Sequence, residues 1–158
     1  RPLETQHRED LIAGRIGMLE LAEQHRLELA TDLLVPFAHW VTPDFMPKRF
    51  DTWFYLVPAP SDQVAAHDGE ESVDSIWIRP PDAVADGQAG RKTIIFPTLC
   101  NLMKLARSNS VAEAIERARR EPLVTVLPTV HRTDAGKVLR IPPEAGYELN
   151  EVPLNEGR

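Results

Sequence analysis

A chain of 158 residues, 42% hydrophobic and 27% charged, can build one domain with a sizeable core and has the balance of an ordinary globule. A net charge of −6, with no basic face to neutralise phosphates, argues against a nucleic-acid partner. One cysteine, Cys100, excludes an internal disulfide and a thiolate metal site and points to a reducing, cytoplasmic compartment. No apolar run approaches the ~18 residues of a membrane helix, and no charged start with an apolar block marks a secretory signal, so no membrane partner is expected.

Residues 6–25 place Leu11, Ile12, Met18, Leu19, Leu21 and Ala22 at roughly helical spacing, with Gly14 and Gly17 between two halves. This predicts two short helices with a bend. Residues 33–41 and 49–57 predict strands. In the second, Phe50, Thr52, Phe54 and Leu56 face one way and Arg49, Asp51, Trp53 and Tyr55 the other. Both faces are bulky, which predicts a strand covered on both sides. Thr42 to Pro47 is a loop, because each proline restricts the residue before it. A polar loop is expected over 61–71, a strand over 72–79, and a short helix opened by Pro80-Pro81. A short strand at 92–96 leads to a helix capped by Thr98. Ser110 with Glu113 forms a capping box for a helix through Arg120. Residues 124–130 and 137–142 suggest a hairpin around Asp134-Ala135-Gly136, followed by an irregular, loose end.

The densest feature is residues 39–58. Trp40, Phe45, Phe50, Trp53, Phe54 and Tyr55 are six of the ten aromatic residues, with His39, Lys48, Arg49 and Asp51 among them. Charges embedded in such a surface need partners. Arg49 is either paired to Asp51 or left to hold an anionic group through its planar fork. His39 reads as a hydrogen-bonded structural residue or as a catalytic base. The five histidines have no i, i+4 pair, and neither a glycine-rich phosphate loop nor a Gly-x-Ser-x-Gly elbow is present. Asp68, Glu70, Glu71 and Asp74 form either a solvated acidic loop or a carboxylate set for a hard divalent cation.

In order along the chain stand His39-Trp40-Val41-Thr42-Pro43, then Lys48-Arg49-Phe50-Asp51-Thr52-Trp53-Phe54-Tyr55, then Glu70-Glu71 ahead of Trp77-Ile78-Arg79-Pro80, then Phe96-Pro97-Thr98. This succession resembles the latter part of a Nudix hydrolase, of the branch with the peroxisomal acyl-coenzyme A diphosphatase and its bacterial relatives. The resemblance covers residues 8–107 and is weaker through the tail. It implies an α/β fold, a Nudix-like α/β/α sandwich on a mixed sheet. Residues 1–108 would be the carboxyl-terminal part of that domain, and 109–158 a helix and hairpin extension packed on it.

The family's box, Gly-x5-Glu-x7-Arg-Glu-x2-Glu-Glu-x-Gly, does not occur in the chain; its nearest approach, Arg8 to Gly14, lacks both glutamates of the acid pair. The resemblance therefore places the box upstream of Arg1 and makes the amino-terminal side of the sandwich incomplete. It implies a hydrolase that cleaves a diphosphate linkage in coenzyme A or nucleoside diphosphate derivatives with Mg2+ or Mn2+. Glu71 matches the acid that in some members adds a metal ligand or acts as base, with Glu70 second. Arg49, Phe50 and Trp40 would line the substrate side, while Asp51 and Thr52 would fix strand geometry. The alternative is a binding or assembly module that has lost the box. An open sheet edge and apolar face would favour self-association, as in a homodimer.

Overall fold

The computed structural model describes residues 2–61, 67, 69, 72 and 74–154. The chain forms two compact units, one from residues 1–33 and 60–76, the other from 34–59 and 77–158. Five α-helices and two small, mostly antiparallel sheets among the described residues make the protein mixed α/β. No helix among them is long and apolar enough to cross a membrane.

In the first unit, helix α1 (Pro2–Ile12) and helix α2 (Met18–His25) are separated at the glycines, as the spacing predicts. Gly14 takes φ +65°, a conformation open to glycine, and lets the chain fold back. The Arg15 amide then reaches the Asp10 carbonyl at 2.8 Å, and its Nε donates to Asp10 Oδ1 at 2.7 Å. That guanidinium contact holds the Asp10 carboxyl below its usual range. Helix α2 ends at Arg26 in the left-handed region, and a 3-10 turn follows over Thr31–Leu33.

The second unit holds strands β1 (Val35–Val41), β2 (Asp51–Leu56) and β3 (Thr125–Val126) in the order β2-β1-β3. Strand β1 runs antiparallel to β2 and parallel to β3. Its register against β2 shifts between Pro36 and Ala38. Proline has no N–H for the ladder, so an irregularity is cheapest there. The shift leaves consecutive Phe37 and Ala38 both buried. They join Trp40, Cys100, Val126, Ile141 and Ala145 in the core, with Phe54, Leu56 and Phe96 packed against it.

Helices α3 (Pro80–Gln88) and α4 (Phe96–Ala106) pack on each other, and α5 (Val111–Arg120) packs on β1. The Ser110 hydroxyl accepts from the Glu113 amide at 3.1 Å, and the Glu113 carboxylate accepts from the Asn109 amide at 2.8 Å. The cap is thus the expected pair, except that Glu113 reaches the residue before the cap. Buried Lys104 is matched by Glu121, 3.4 Å from its Nζ, and lies 5.3 Å from the ring centroids of both Phe37 and Tyr147. Strands β4 (Thr129–Thr133), β5 (Gly136–Arg140) and β6 (Glu151–Pro153) form an antiparallel meander.

Several expectations are corrected. Strand β2 lies at an edge, and Trp53 and Tyr55 on its outward face are about half exposed, so it is not covered on both sides. Residues 74–79 and 92–95 are not strands: Trp77 is 78% exposed and Ile95 66%, and neither segment has a pairing partner among the described residues. Helix α4 begins at Phe96 with Ile95 at the cap position, two residues before Thr98, because Pro97 suits the first turn. Residues 151–153 add a third strand where a loose end was expected.

Candidate functional site

Alternation along β1 sends Trp40 and His39 to opposite faces of the sheet, and each face carries its own constellation. On the Trp40 face a cavity of about 290 Å³ opens between the β1–β2 hairpin, the start of α4, and two residues near the β4–β5 hairpin. Trp40, Thr52 and Phe54 come from the paired strands. Pro43, Phe45, Met46 and Phe50 come from the loop joining them, and Phe96, Pro97 and Thr98 from the start of α4. Pro128 and Leu139 complete the lining. Trp40 is held in place from behind. Its indole N–H donates to the Tyr147 hydroxyl at 3.1 Å, which donates to Asn101 Oδ1 at 2.8 Å. Its ring meets Phe96 edge to face, with centroids 5.9 Å apart.

Thr42 shapes the mouth by using all of its polar groups. Its amide donates to the Phe50 carbonyl at 2.9 Å, and its hydroxyl accepts from the Phe50 amide at 3.1 Å. Its carbonyl accepts from Arg49 Nε at 3.1 Å. This ties the neck of the 43–49 loop. A second groove, about 520 Å³, runs beside the cavity and shares Pro43, Phe45 and Pro128 with it; Asp44 and Arg49 line it. Among the described residues neither Nη of Arg49 has a hydrogen-bond or ion-pair partner. Lys48 Nζ lies 4.9 Å from the centroid of Phe50, one of the cavity's lining residues.

On the other face, His39 links all three strands. Nε2 lies 2.6 Å from Asp51 Oδ1 on β2, and Nδ1 lies 2.9 Å from Thr125 Oγ1 on β3. The Trp53 indole stacks over the imidazole at 4.1 Å between centroids and 17° between planes. The imidazole is nearly buried while Asp51 is well exposed. Both ring nitrogens are engaged, the arrangement of a structural cross-strand clamp.

These contacts decide what the sequence left open for Arg49 and Asp51. The Asp51 carboxylate is taken by His39, and Arg49 is anchored on the Thr42 carbonyl. Strand β2 begins at Asp51, so its alternation does not reach Arg49. Of the expected substrate-side residues, Trp40 and Phe50 share the cavity and Arg49 lies on the adjoining groove. Trp40 serves as a buried wall, since its one donor is occupied.

Glu70 and Glu71 lie outside the described residues, as does Asp68. Asp74 accepts from the Ser75 amide at 2.9 Å, a local turn contact. Among the described residues no three His, Cys, Asp or Glu side chains converge as a metal site, so these residues by themselves do not fit a magnesium ion. Only Trp40 and Phe50 of the lining were expected on the substrate side; Phe45, Met46, Ile95 and Leu139 belong to no motif, and Thr52, expected to fix strand geometry, lines the cavity as well. Met46 stands between two prolines in an aromatic stretch, which is a readable hint. Pro128 and Leu139 arrive only through the fold. Cys100 offers no chemistry here: it is buried, its thiol faces the Leu149 carbonyl at 3.5 Å, and burial pushes its pKa up to about 12. Comparison with protein-family models, with curated proteins and with solved structures finds no match to this chain.

Proposed function

We propose that this chain supplies the substrate-binding part of a Nudix-type hydrolase that cleaves a diphosphate linkage in coenzyme A or nucleoside diphosphate derivatives, with magnesium or manganese. One observation carries the reading. Of the four motifs behind the resemblance, those at 40–43 and 49–54, on one hairpin, and the distant one at 96–98 supply residues to one cavity and its mouth, while the one at 70–80 supplies none among the described residues. Apolar walls with a few polar groups at the rim are the usual build of a small-molecule site. In this reading the Arg49 fork takes phosphoryl oxygens at the rim, where its planar donors match an oxyanion. Phe50 and Trp40 contact the organic portion. The metal is assigned to Glu71 and Glu70 together with acids of a box upstream, and the cytoplasm is the expected compartment.

The test is cleavage of coenzyme A and of ADP-ribose by the longest chain that the reading frame encodes, with and without magnesium. Metal-dependent release of phosphate-containing products is the expected result. A longer frame without the box, and no release, would overturn the hydrolase assignment. The half-exposed Trp53 and Tyr55 on the open sheet face favour a second reading, a binding or assembly module that pairs with another copy of itself.

A further inference from the structure

We infer that the ligand of the Trp40 cavity is an alkyl phosphate, with an unbranched hydrocarbon chain in the cavity and its anionic end between Lys48 and Arg49. This rests on the phosphate-substrate reading above and names the organic half of the ligand, choosing hydrocarbon over a nucleobase.

A base is recognised by flat stacking and by polar groups meeting its edges. The cavity provides little of either. Its two closest rings, Trp40 and Phe96, stand at 85°, so they do not form a parallel slot. The Trp40 N–H is spent on Tyr147, which leaves three threonine hydroxyls, of Thr42, Thr52 and Thr98, as the polar side-chain groups of the lining. The rest of the lining is mostly apolar, with Met46, Ile95, Leu139 and three prolines beside Phe45, Phe50 and Phe54. A flexible chain adapts to such walls, and methionine adapts to the chain. At about 290 Å³ the space is roughly twice the ~150 Å³ cavity that accepts one benzene. An octyl chain suits that volume.

The charges at the mouth match the other end. Lys48 stands over Phe50, itself a cavity wall, and Arg49 is anchored through Nε with both Nη groups unpartnered among the described residues. Arg49 and Asp44 are the charged residues of that groove, and Lys48 adds a positive charge over Phe50 on the cavity wall. A phosphate monoester is attracted there, and a neutral alcohol of the same length gains only the burial of its chain.

Titration calorimetry of the full chain with octyl phosphate, in a chelator and without added metal, tests this. Octyl phosphate should bind at least tenfold more tightly than adenosine 5′-monophosphate. The double variant Lys48→Gln/Arg49→Gln, both exposed positions, should lose at least tenfold of that affinity with an unchanged melting temperature. Ile95→Trp, at an exposed wall position, should narrow the cavity and weaken octyl phosphate more than inorganic phosphate. Equal or tighter binding of the nucleotide, no binding of octyl phosphate, or no response to the double variant overturns the inference. Because no metal and no turnover enter, the hydrolase reading fails separately. Product release with no octyl phosphate binding strikes only the alkyl assignment, and octyl phosphate binding without product release strikes only the hydrolase.

Discussion

His39 Nε2 and Asp51 Oδ1 stand 2.6 Å apart across β1 and β2, joining a nearly buried imidazole to a well-exposed carboxylate. Asp51→Ala leaves the imidazole nitrogen without its protein partner. An unmet buried polar group costs about 1–3 kcal/mol, and the exposure of Asp51 puts the expected loss near the lower figure. His39→Ala should cost more, because it also frees Trp53 and Thr125. Urea unfolding of both variants checks the order. A destabilised His39→Ala beside an unchanged Asp51→Ala would show the carboxylate to be a bystander.

Alkaline stability turns on Tyr147 and Cys100. Burial pushes the Tyr147 hydroxyl to about 12 and the Cys100 thiol to about 12, from ordinary values of 10.0 and 9.0. Both native pKa values are raised, so the unfolded chain releases these protons first. The associated stability is complete below about pH 9 and is lost as pH rises toward 12. Cys100→Ala should flatten the decline from about 9 to about 12, and Tyr147→Phe only the part above about 10. Melting temperatures across that range read both, each variant referred to its own value at neutral pH.

At the start of α5 the sign reverses. The Asn109 amide, ahead of Arg117, lowers the Glu113 carboxyl below its usual value. A lowered native pKa gives stability that is present above the ordinary carboxylate value and lost as acid protonates the folded state. Ser110→Ala should cost about 1 kcal/mol at neutral pH. Glu113→Gln should remove part of the acid-side decline. Helicity followed by circular dichroism during acid titration is the measurement.

Arg49→Lys should leave the melting temperature within about a degree while weakening phosphate-ligand binding about tenfold, because lysine keeps the charge and loses the fork. If the variant binds as the parent does, Arg49 serves the Thr42 neck alone. A drop in melting temperature with unchanged affinity assigns it the same structural role.

Self-association is expected through the open face. Trp53 and Tyr55 are 48% and 47% exposed on an edge strand, the kind of surface that pairs with another chain. Multi-angle light scattering should show a dimer, and Trp53→Ser/Tyr55→Ser should shift it toward monomer. A parent chain that stays monomeric at high concentration removes the pairing role.

The β1–β2 hairpin was legible because period-two alternation survives in Phe50 to Leu56, and the α5 start because Ser110 and Glu113 name their own geometry. The same alternation misled at 74–79. Ile76 and Trp77 form a plausible strand pattern locally, but strands exist only in pairs, and no local pattern reveals a missing neighbour. The reverse holds for β6, whose Glu151-Val152-Pro153 has weak strand character and is recruited by β5. The cavity was half readable. Trp40, Phe50 and Phe96 belong to recognisable motifs, while Leu139 reaches the wall only because the meander folds back. The anchoring of Arg49 by a backbone carbonyl left no trace in side-chain chemistry.

The pairing of His39 with Thr125 spans 86 residues, whereas β1 and β2 are joined by a short loop. Closing the longer span costs more chain entropy, and its strand is only two residues long, so little is gained until the helices between have packed. Assembly of this sheet is therefore expected to be staged, with the hairpin early and the parallel strand late. During that interval the imidazole has its carboxylate but not its threonine. Substitutions at Thr125 should accelerate unfolding far more than they retard folding, placing this contact on the native side of the kinetic barrier.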